Sequence, residues 1–458
     1  MNESKRLAKE SARLIRLKKQ LAKPNSAFTV FMLFALIILV HLLDTYTTDI
    51  SGKVQSSYLN ELLIKSRGFT ETRALQYVSI LTIISIPLSL LAPFYKALMD
   101  KLGRRLIFII NIMGMSIGLF VCSWAPTMEI LMVGMALILF FIIHDMQMVY
   151  VYEVAPKKWR STIYFTCKFI GIFGILVIPL MRGLFMNESG GGWRVLYFLP
   201  AVIGLAVFVL AILFLRESDI FLKDQIAYLS QPPAERKKDA KGRELRKTGI
   251  VQAVKVCVRD TQLRWLMVAA ACVFTAVVGV SQNYEAFLSF DAHLSTEQIT
   301  NVLFIQIIAM GLSQLVSGFI ADLWGRKAAS VIFSGVVVIT LCMFVTSSLN
   351  GASPFLIGLL LGVLIGSFWN ITDLNVMMIA ESISTELRGS LVGAQALAVM
   401  AGGIVSVIAN VILLNSASLG TVKLIIGIPG VVASAIIILL KTRETKNADL
   451  ETAGKAEA

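Results

Sequence analysis

Two ionisable residues, Lys168 and Asp145, lie inside long apolar stretches, where an isolated charge costs about 2.5–3.5 kcal/mol or more. Lys168 lies eight residues after Arg160, and Asp145 eight residues before Glu153, so at ~1.5 Å per residue both reach the same depth. We therefore expect them to pair. Such a pair can hold an anionic substrate on the ammonium, and Asp145, with its neighbour His144, can release it by accepting a proton. Two alternatives remain open: Lys168 extends to the membrane interface, or the pair is only structural.

A second acidic residue, Asp373, occupies the position that mirrors Asp145 in the other half of the chain. The residue that mirrors Lys168 is Ala396, with Gln395 beside it. This asymmetry fits a substrate with one charged end and one polar end. Further polar residues near the predicted cavity are possible substrate contacts or inter-helix hydrogen bonds: Gln282, Asn283, Gln306 and Asn370.

His41 and Asp44 are three residues apart, so on a helix they share one face. A histidine beside a carboxylate is a plausible route for proton entry, because both groups can titrate near physiological pH when their surroundings shift them. The alternative is that both lie at a hydrated helix end.

The elements that must position these residues are membrane-spanning helices. The chain has 458 residues, of which 56% are hydrophobic and only 16% charged, and its mean hydropathy is +0.76. A soluble protein carries about 25% charged residues, so lipid is the expected surrounding. Backbone polar groups in lipid must pair within their own segment, which predicts helices. Twelve stretches are long enough to span: 27–48, 74–97, 106–123, 127–151, 162–185, 194–216, 263–287, 299–321, 328–348, 354–380, 389–414 and 419–441.

The distribution of positive charge predicts the orientation. Of the 42 Lys and Arg residues, 34 fall in segments that lie on one side of this topology, which places both termini in the cytosol. The net charge of +13 is therefore a topological signal, and we expect no nucleic-acid partner. The opposite side holds seven: Lys53, Lys65, Arg67, Arg73, Arg182, Arg194 and Lys423.

The chain divides into two six-helix bundles. We predict a basic N-terminal segment (1–26), an N-terminal bundle (27–216), a cytosolic central loop (217–262), a C-terminal bundle (263–441) and a cytosolic tail (442–458). Residues 250–258 form either an interfacial helix or a solvated linker with transient helix.

A charged signature occurs once in each half. Asp100-Lys-Leu-Gly-Arg-Arg105 recurs as Asp322-Leu-Trp-Gly-Arg-Lys327, 222 positions later. A second set, Asp145, Glu153 and Arg160, recurs 228 positions later as Asp373, Glu381 and Arg388. Repeated halves around a midplane cavity are typical of secondary transporters.

These motifs resemble those of the major facilitator superfamily, and in particular its sugar-porter and organic-solute branch. The stretch from Tyr150 to Arg160 is similar to the branch pattern Tyr-x-x-Glu-x-x-Pro with its following Arg. Arg216–Leu222 and Arg443–Asn447 are similar to the motifs that follow helices 6 and 12. The resemblance implies a charged latch at the cytosolic face, formed by Asp100, Arg104, Glu153, Arg160, Asp322, Arg326, Glu381 and Arg388. A set of static surface salt bridges is the alternative.

Departures from the branch pattern argue against a neutral hexose. Lys168 stands where sugar porters carry a binding-site Gln, and the Gln-Gln pair of helix 7 is missing before Gly279. Asp44 does match the Asp of proton-coupled sugar porters, although the position of its usual Arg partner holds Ile130.

The sequence therefore predicts a secondary transporter, not an enzyme, in the cell membrane. It moves a small polar organic solute, with an organic anion or sugar acid favoured, by alternating access and in symport with protons. We expect a monomer in the lipid bilayer, with no cofactor and no metal. The alternatives are a proton-driven drug or metabolite exporter and a sugar facilitator; ATP-driven pumping is disfavoured because there is no Gly-x-x-x-x-Gly-Lys-Ser/Thr loop.

Lys168→Ala should abolish uptake of an anionic substrate, because it removes the charge that would hold the anion. The measurement is uptake of candidate organic acids into liposomes that contain the variant. Unchanged uptake would eliminate the role of Lys168 in binding.

Overall fold

The computed structural model describes residues 3–22, 27–96, 104–142, 160–215, 217, 219–231, 250–382 and 388–445. Over these ranges the chain is built from helices. In chain order they are α1 (Glu3–Leu21), α2 (Ala27–Lys53), α3 (Gln55–Leu59, continued by a π-helical turn over Asn60–Lys65), α4 (Glu71–Lys96), α5 (Arg104–Ser123), α6 (Met128–Phe140), α7 (Arg160–Phe185), α8 (Val195–Phe214), α9 (Asp219–Ser230), α10 (Ile250–Arg259), α11 (Thr261–Ser281), α12 (Tyr284–Phe290), α13 (Thr296–Trp324), α14 (Arg326–Leu349), α15 (Pro354–Glu381), α16 (Arg388–Leu413) and α17 (Leu419–Lys441).

Twelve of these helices correspond one to one to the twelve predicted spans: α2, α4–α8, α11 and α13–α17. Within the described ranges, eight segments are long and apolar enough to cross a membrane by length and composition alone, and α6 and part of α7 are shorter apolar helices. The predicted fold class, an all-α membrane protein with twelve spanning helices, is confirmed.

Hydroxyl and carboxylate side chains cap the N-termini of several helices. The Ser353 hydroxyl caps α15 just before a proline in its first turn, and Ser295 forms a capping box with Gln298 at the start of α13. Asp260 caps α11 by accepting from the Leu263 amide at 2.7 Å. These side chains satisfy amides that the first helical turn leaves without partners.

The helix contacts repeat between the two bundles. In the N-terminal bundle, α2 packs against α6, α7 and α8, α5 against α6 and α8, and α4 against α6. The equivalent pairs occur in the C-terminal bundle, where α11 packs against α15, α16 and α17, α14 against α15 and α17, and α13 against α15. Between the bundles, α7 contacts α13 and α4 contacts α16, which are equivalent pairs when the bundles are exchanged. This is the contact pattern of two bundles related by a pseudo-twofold axis.

One hydrogen bond occurs in both bundles. The Thr45 hydroxyl of α2 donates to the Gly171 carbonyl of α7 at 2.8 Å, and the Thr275 hydroxyl of α11 donates to the Gly402 carbonyl of α16 at 3.0 Å. The two backbones approach closely at Gly402 and, in the other bundle, at Gly174, as expected where no hydrophobic force holds helices together. The first and fifth helices of each bundle are therefore joined in the same way.

The structure corrects the bounds of two predicted spans and shows helices in the predicted central loop. The span predicted as 263–287 is broken: α11 ends at Ser281, Asn283 has φ of 62°, and α12 begins at Tyr284. Asparagine tolerates this left-handed conformation better than most residues, which allows the break. The span predicted as 27–48 continues to Lys53, and the loop predicted at 217–262 contains the helices α9 and α10, so residues 250–259 are helical.

Gly402→Ala should lower the melting temperature of the purified protein. A Cβ at this position would lie 2.1 Å from the Ala271 carbonyl oxygen, so the helices must separate, at a typical cost of about 1–3 kcal/mol.

Gly403→Ala is the matched control, because its Cβ would meet no atom closer than 3.8 Å. It should leave the melting temperature unchanged or raise it slightly. Equal melting temperatures for the two variants would contradict close packing of α11 on α16.

Candidate functional site

The two bundles are joined by polar side chains at the end of the molecule where α2 ends, opposite the start of α2 and the end of α17; we call it the distal end. Lys53 is 1% exposed there. Its ammonium donates to the Tyr284 hydroxyl and, at 3.1 Å, to Gln306 Oε1, both in the other bundle, and lies 3.5 Å from the Asp49 carboxylate. A buried ammonium needs such partners, so Lys53 contributes to the contact between bundles.

A second buried charge pair lies next to Lys53. Glu285, which is fully buried at the start of α12, accepts hydrogen bonds from the Ser56 amide at 2.6 Å and the Ser56 hydroxyl at 2.7 Å. Its carboxylate also lies 3.4 Å from Nη1 of Arg182, which is 1% exposed. Arg182 donates in addition to the Lys53 carbonyl and, at 3.4 Å, to the Thr300 hydroxyl. Charges from both bundles are therefore neutralised where the bundles meet.

The break between α11 and α12 is held by three hydrogen bonds, donated by two side chains. Asn283 Oδ1 accepts from Gln55 of the other bundle, and the buried ammonium of Lys423 donates to the carbonyls of Val280 at 3.0 Å and Gln282 at 2.7 Å. The lysine thus satisfies carbonyls that the end of α11 leaves unpaired.

Two more hydrogen bonds cross between the bundles near the distal end. Gln76 of α4 donates to Asn415 at 2.6 Å, and the Thr296 hydroxyl donates to the Glu188 carbonyl at 3.2 Å. Together with Lys53 and Glu285 they form the distal junction. In this structure the bundles are closed against each other at this end.

The predicted proton-coupling residues His41 and Asp44 lie on α2 where it packs against α7. His41 is 4% exposed, Asp44 is fully buried, and His41 Nε2 lies close to Gly171. Their burial argues against the alternative that they form a hydrated helix end.

Polar residues of α15 and α16 lie at several positions of the C-terminal bundle. Asn370 donates to the Ser313 carbonyl at 3.2 Å, Gln395 is 4% exposed, and Asp373 is partly exposed. Asn375, which sequence reasoning missed, is fully buried, and within the described part of the chain neither atom of its amide group has a hydrogen-bond partner. An amide that is buried without a partner is costly, so this position is a candidate contact for a polar ligand.

Several predicted site residues cannot be placed. Asp100, His144, Asp145 and Glu153 lie outside the described residues. Arg104, Arg160, Lys168, Asp322 and Arg388 lie on described helices, but their side chains are outside the described part. The pairing of Lys168 with Asp145 and the role of these nine residues stay predictions.

At the opposite end, which we call the terminal end, two residues of the predicted latch form an ion pair within the C-terminal bundle. Arg326 Nη2 lies 3.5 Å from Glu381 Oε1, and both side chains are about one-fifth exposed (17% and 21%). Glu381 also accepts from the Thr445 hydroxyl at 2.6 Å, which ties the C-terminal segment to this pair.

The terminal end repeats one further interaction in both bundles. Glu444 accepts from the backbone amides of Arg326 at 2.9 Å and Lys327 at 3.0 Å, at the start of α14. Glu217 lies in the same relation to the start of α5, where it accepts from the Arg105 amide at 3.3 Å. A carboxylate at the start of a helix is stabilised by the helix dipole and by amides without partners. The charged signature therefore has an equivalent local structure in each bundle.

Sequence reasoning assigns Lys53, Arg182 and Lys423 to the outer side only as contributions to the charge bias, and it predicts no partners for them. The structure places each on a long helix and at most 2% exposed. Two features of the sequence do indicate buried charge pairs here: Lys53 follows Asp49 by four residues, and Glu285 lies in an otherwise apolar segment.

Comparison with known proteins identifies the family. A sequence model of the Major Facilitator Superfamily matches residues 25–407 and 284–457. Comparison with curated proteins gives no match.

Solved structures with the same fold include sugar transporters. A crystal structure of a D-xylose–proton symporter matches with a TM-score of 0.67 and 18% identity, covering 91% of this chain and 99% of the other. The inward open form of the xylose transporter XylE from E. coli matches with a TM-score of 0.67 and 18% identity, covering 92% and 98%. Its partially occluded inward open form matches with a TM-score of 0.65 and 17% identity, covering 93% and 100%.

The family model extends over most of the chain, and the two pseudo-symmetric bundles have the architecture found in that family. This chain therefore belongs to the Major Facilitator Superfamily, and it is a multi-pass membrane transporter rather than an enzyme.

Proposed function

We propose that this transporter moves a small polar organic solute, in particular an organic anion or sugar acid, across the cell membrane in symport with protons. The observation that carries the alternating-access mechanism is the distal junction. It joins two separately packed bundles through directional polar contacts, which can break while each bundle keeps its own helix contacts.

The energetics of the distal junction suit a gate. Each hydrogen bond to a charged group contributes about 1.5–3 kcal/mol net when its partners are buried, and water can replace those partners when the bundles separate. The closed distal end then alternates with a closed terminal end, as in a carrier with one central site. We assign Arg326 and Glu381 to the terminal gate, where they would act together with the predicted latch residues of the N-terminal bundle.

Proton coupling is supported by the environment of His41 and Asp44. Both side chains are buried, and His41 lies against α7, the helix that also carries Lys168. A proton that binds in this region changes the charge next to the predicted anion site. Substrate binding and protonation would then affect each other through electrostatics.

The orientation follows from the positive-inside bias, which puts the terminal end in the cytosol. The distal junction then closes the extracellular entrance. A monomer is sufficient for this mechanism, since both gates lie within one chain.

A neutral sugar is the second candidate substrate. It is supported by the structural similarity to a D-xylose–proton symporter, but at 18% identity this similarity concerns the fold alone. The predicted Lys168 site favours an anion, because an ammonium attracts a negative charge.

The experiment that tests the proposal is uptake into liposomes that contain the purified protein, with and without an imposed pH gradient. We expect uptake of candidate organic acids that increases when the outside is acidic and collapses when an ionophore removes the gradient. Exchange of a neutral sugar that does not depend on the gradient would overturn both the proposal of an anionic substrate and that of proton coupling.

Glu381→Gln should slow transport roughly fivefold, as expected for the loss of about 1 kcal/mol from the terminal gate. The substitution keeps the size of the side chain but removes the ion pair with Arg326. The measurement is the initial uptake rate of the substrate found in the liposome experiment.

Glu297→Gln is the matched control for this variant. It also removes one carboxylate, but from an exposed position in the first turn of α13. Its uptake rate should equal that of the wild type, and equal rates for both variants and the wild type would contradict a gate at Glu381.

A further inference from the structure

The carboxylate of Glu285 lies in a set of donors that all belong to the other bundle. The Ser56 amide, the Ser56 hydroxyl and Arg182 Nη1 surround it at 2.6, 2.7 and 3.4 Å. We call these three groups the carboxylate cradle. Glu285 itself belongs to α12 of the C-terminal bundle. Donors and acceptor therefore separate whenever the bundles separate at the distal end.

The donors of the carboxylate cradle are held together by a contact that does not involve Glu285. Arg182 is also bonded to the Lys53 carbonyl, three residues before Ser56, so the guanidinium is tied to the segment that carries the other donors. This attachment lies within the N-terminal bundle, whereas the longer 3.4 Å contact of Arg182 with Thr300 reaches the C-terminal bundle and is lost on separation. The cradle can therefore keep its arrangement after the bundles part.

The charges left on each side after separation are unequal. On the N-terminal side Lys53 keeps Asp49 at 3.5 Å, whereas Arg182 loses the carboxylate of Glu285. That surface gains one positive charge that faces the opened entrance. A guanidinium with adjacent N–H and O–H donors binds a carboxylate more strongly than a neutral oxygen, since hydrogen bonds between charged groups are stronger.

We propose that the carboxylate cradle is an entry site for small carboxylates when the distal end is open, and that Glu285 occupies it as an internal competitor when the end is closed. This proposal rests on the proposed transport of an organic anion. A carboxylate on Ser56 and Arg182 keeps Glu285 out and the entrance open. Once the anion moves on towards the centre, Glu285 returns and closes the entrance behind it.

The cradle is distinct from the predicted Lys168 site. Arg182 lies 14 residues after Lys168 on the same helix, which is about 21 Å along the helix at ~1.5 Å per residue. An anion can therefore bind the two positions one after the other, but a small carboxylate cannot bind both at once.

The test measures binding of propionate to the purified full-length protein by titration calorimetry. Glu285→Ala removes the internal competitor, so propionate should bind this variant at least about tenfold more tightly than the wild type, equivalent to ~1.4 kcal/mol. Propionamide has the same shape without the charge and should show no gain.

Gln76→Ala is the matched control. It removes another hydrogen bond of the distal junction, 2.6 Å to Asn415, but leaves the cradle intact. Its propionate affinity should match that of the wild type. An equal gain in Gln76→Ala and Glu285→Ala would show that opening alone exposes an anion site elsewhere, and would overturn the cradle.

Two further variants complete the test. Arg182→Lys, combined with Glu285→Ala, should lose the gain, because the lysine cannot reproduce the contacts of the guanidinium. If Glu285→Ala does not fold, Glu285→Gln keeps the side-chain size and removes the charge, and it should gain affinity in the same direction. Absence of a gain in the variant that folds overturns the proposal.

The outcome separates this proposal from the proposed function. A gain in propionate affinity without acid uptake in liposomes supports the cradle and rejects anion transport. Acid uptake driven by the pH gradient, without a gain in affinity, supports the transporter and rejects the cradle.

Discussion

The pairing of buried charges where the two bundles meet is the interaction on which the arrangement of this transporter depends. Lys53, Arg182 and Glu285 are each at most 1% exposed, and in a low-dielectric surrounding a charge without a partner destabilises the protein by several kcal/mol. The partners come from both bundles, so neither bundle alone satisfies these groups. Closure of the distal end is therefore favoured by charge neutralisation as well as by packing.

The contacts within a bundle differ in kind from those between the bundles. Within a bundle, helices meet through close backbone contacts at glycines, such as Gly174 and Gly402, which do not involve a charged group. Between bundles, the described contacts at the distal end are polar and can be exchanged for water. This difference lets the bundles separate as units, because opening the entrance does not require the internal packing to change.

The fold could be predicted from the sequence because its determinants are local and repeated. Apolar length alone predicts the spans, and the duplicated signature around Asp100 and Asp322 predicts the two halves. The break at Asn283 was not predictable from hydropathy, since the residues on both sides are compatible with a continuous helix. It depends on Lys423, which is 140 residues away in the sequence and reaches the carbonyls of Val280 and Gln282.

The candidate site was predicted less completely, because its contacts join residues that are far apart in the sequence. Composition indicates which charges lie in membrane segments, but only the packed structure shows that Arg182 meets Glu285 across the two bundles. Gln306 and Asn283 were predicted as substrate contacts, and the structure places them in the distal junction, bonded to Lys53 and Gln55. Their role in binding stays a prediction, as does that of Lys168.

The position of Lys423 has a consequence for how the break in the helix is stabilised. Carbonyl oxygens freed where a helix is interrupted inside a membrane are common ligands for sodium ions in transporters. Here the ammonium group of the protein itself occupies the oxygens of Val280 and Gln282, at 3.0 and 2.7 Å. These two oxygens already accept hydrogen bonds from a side chain of the same chain, so the interruption is stabilised from within the protein.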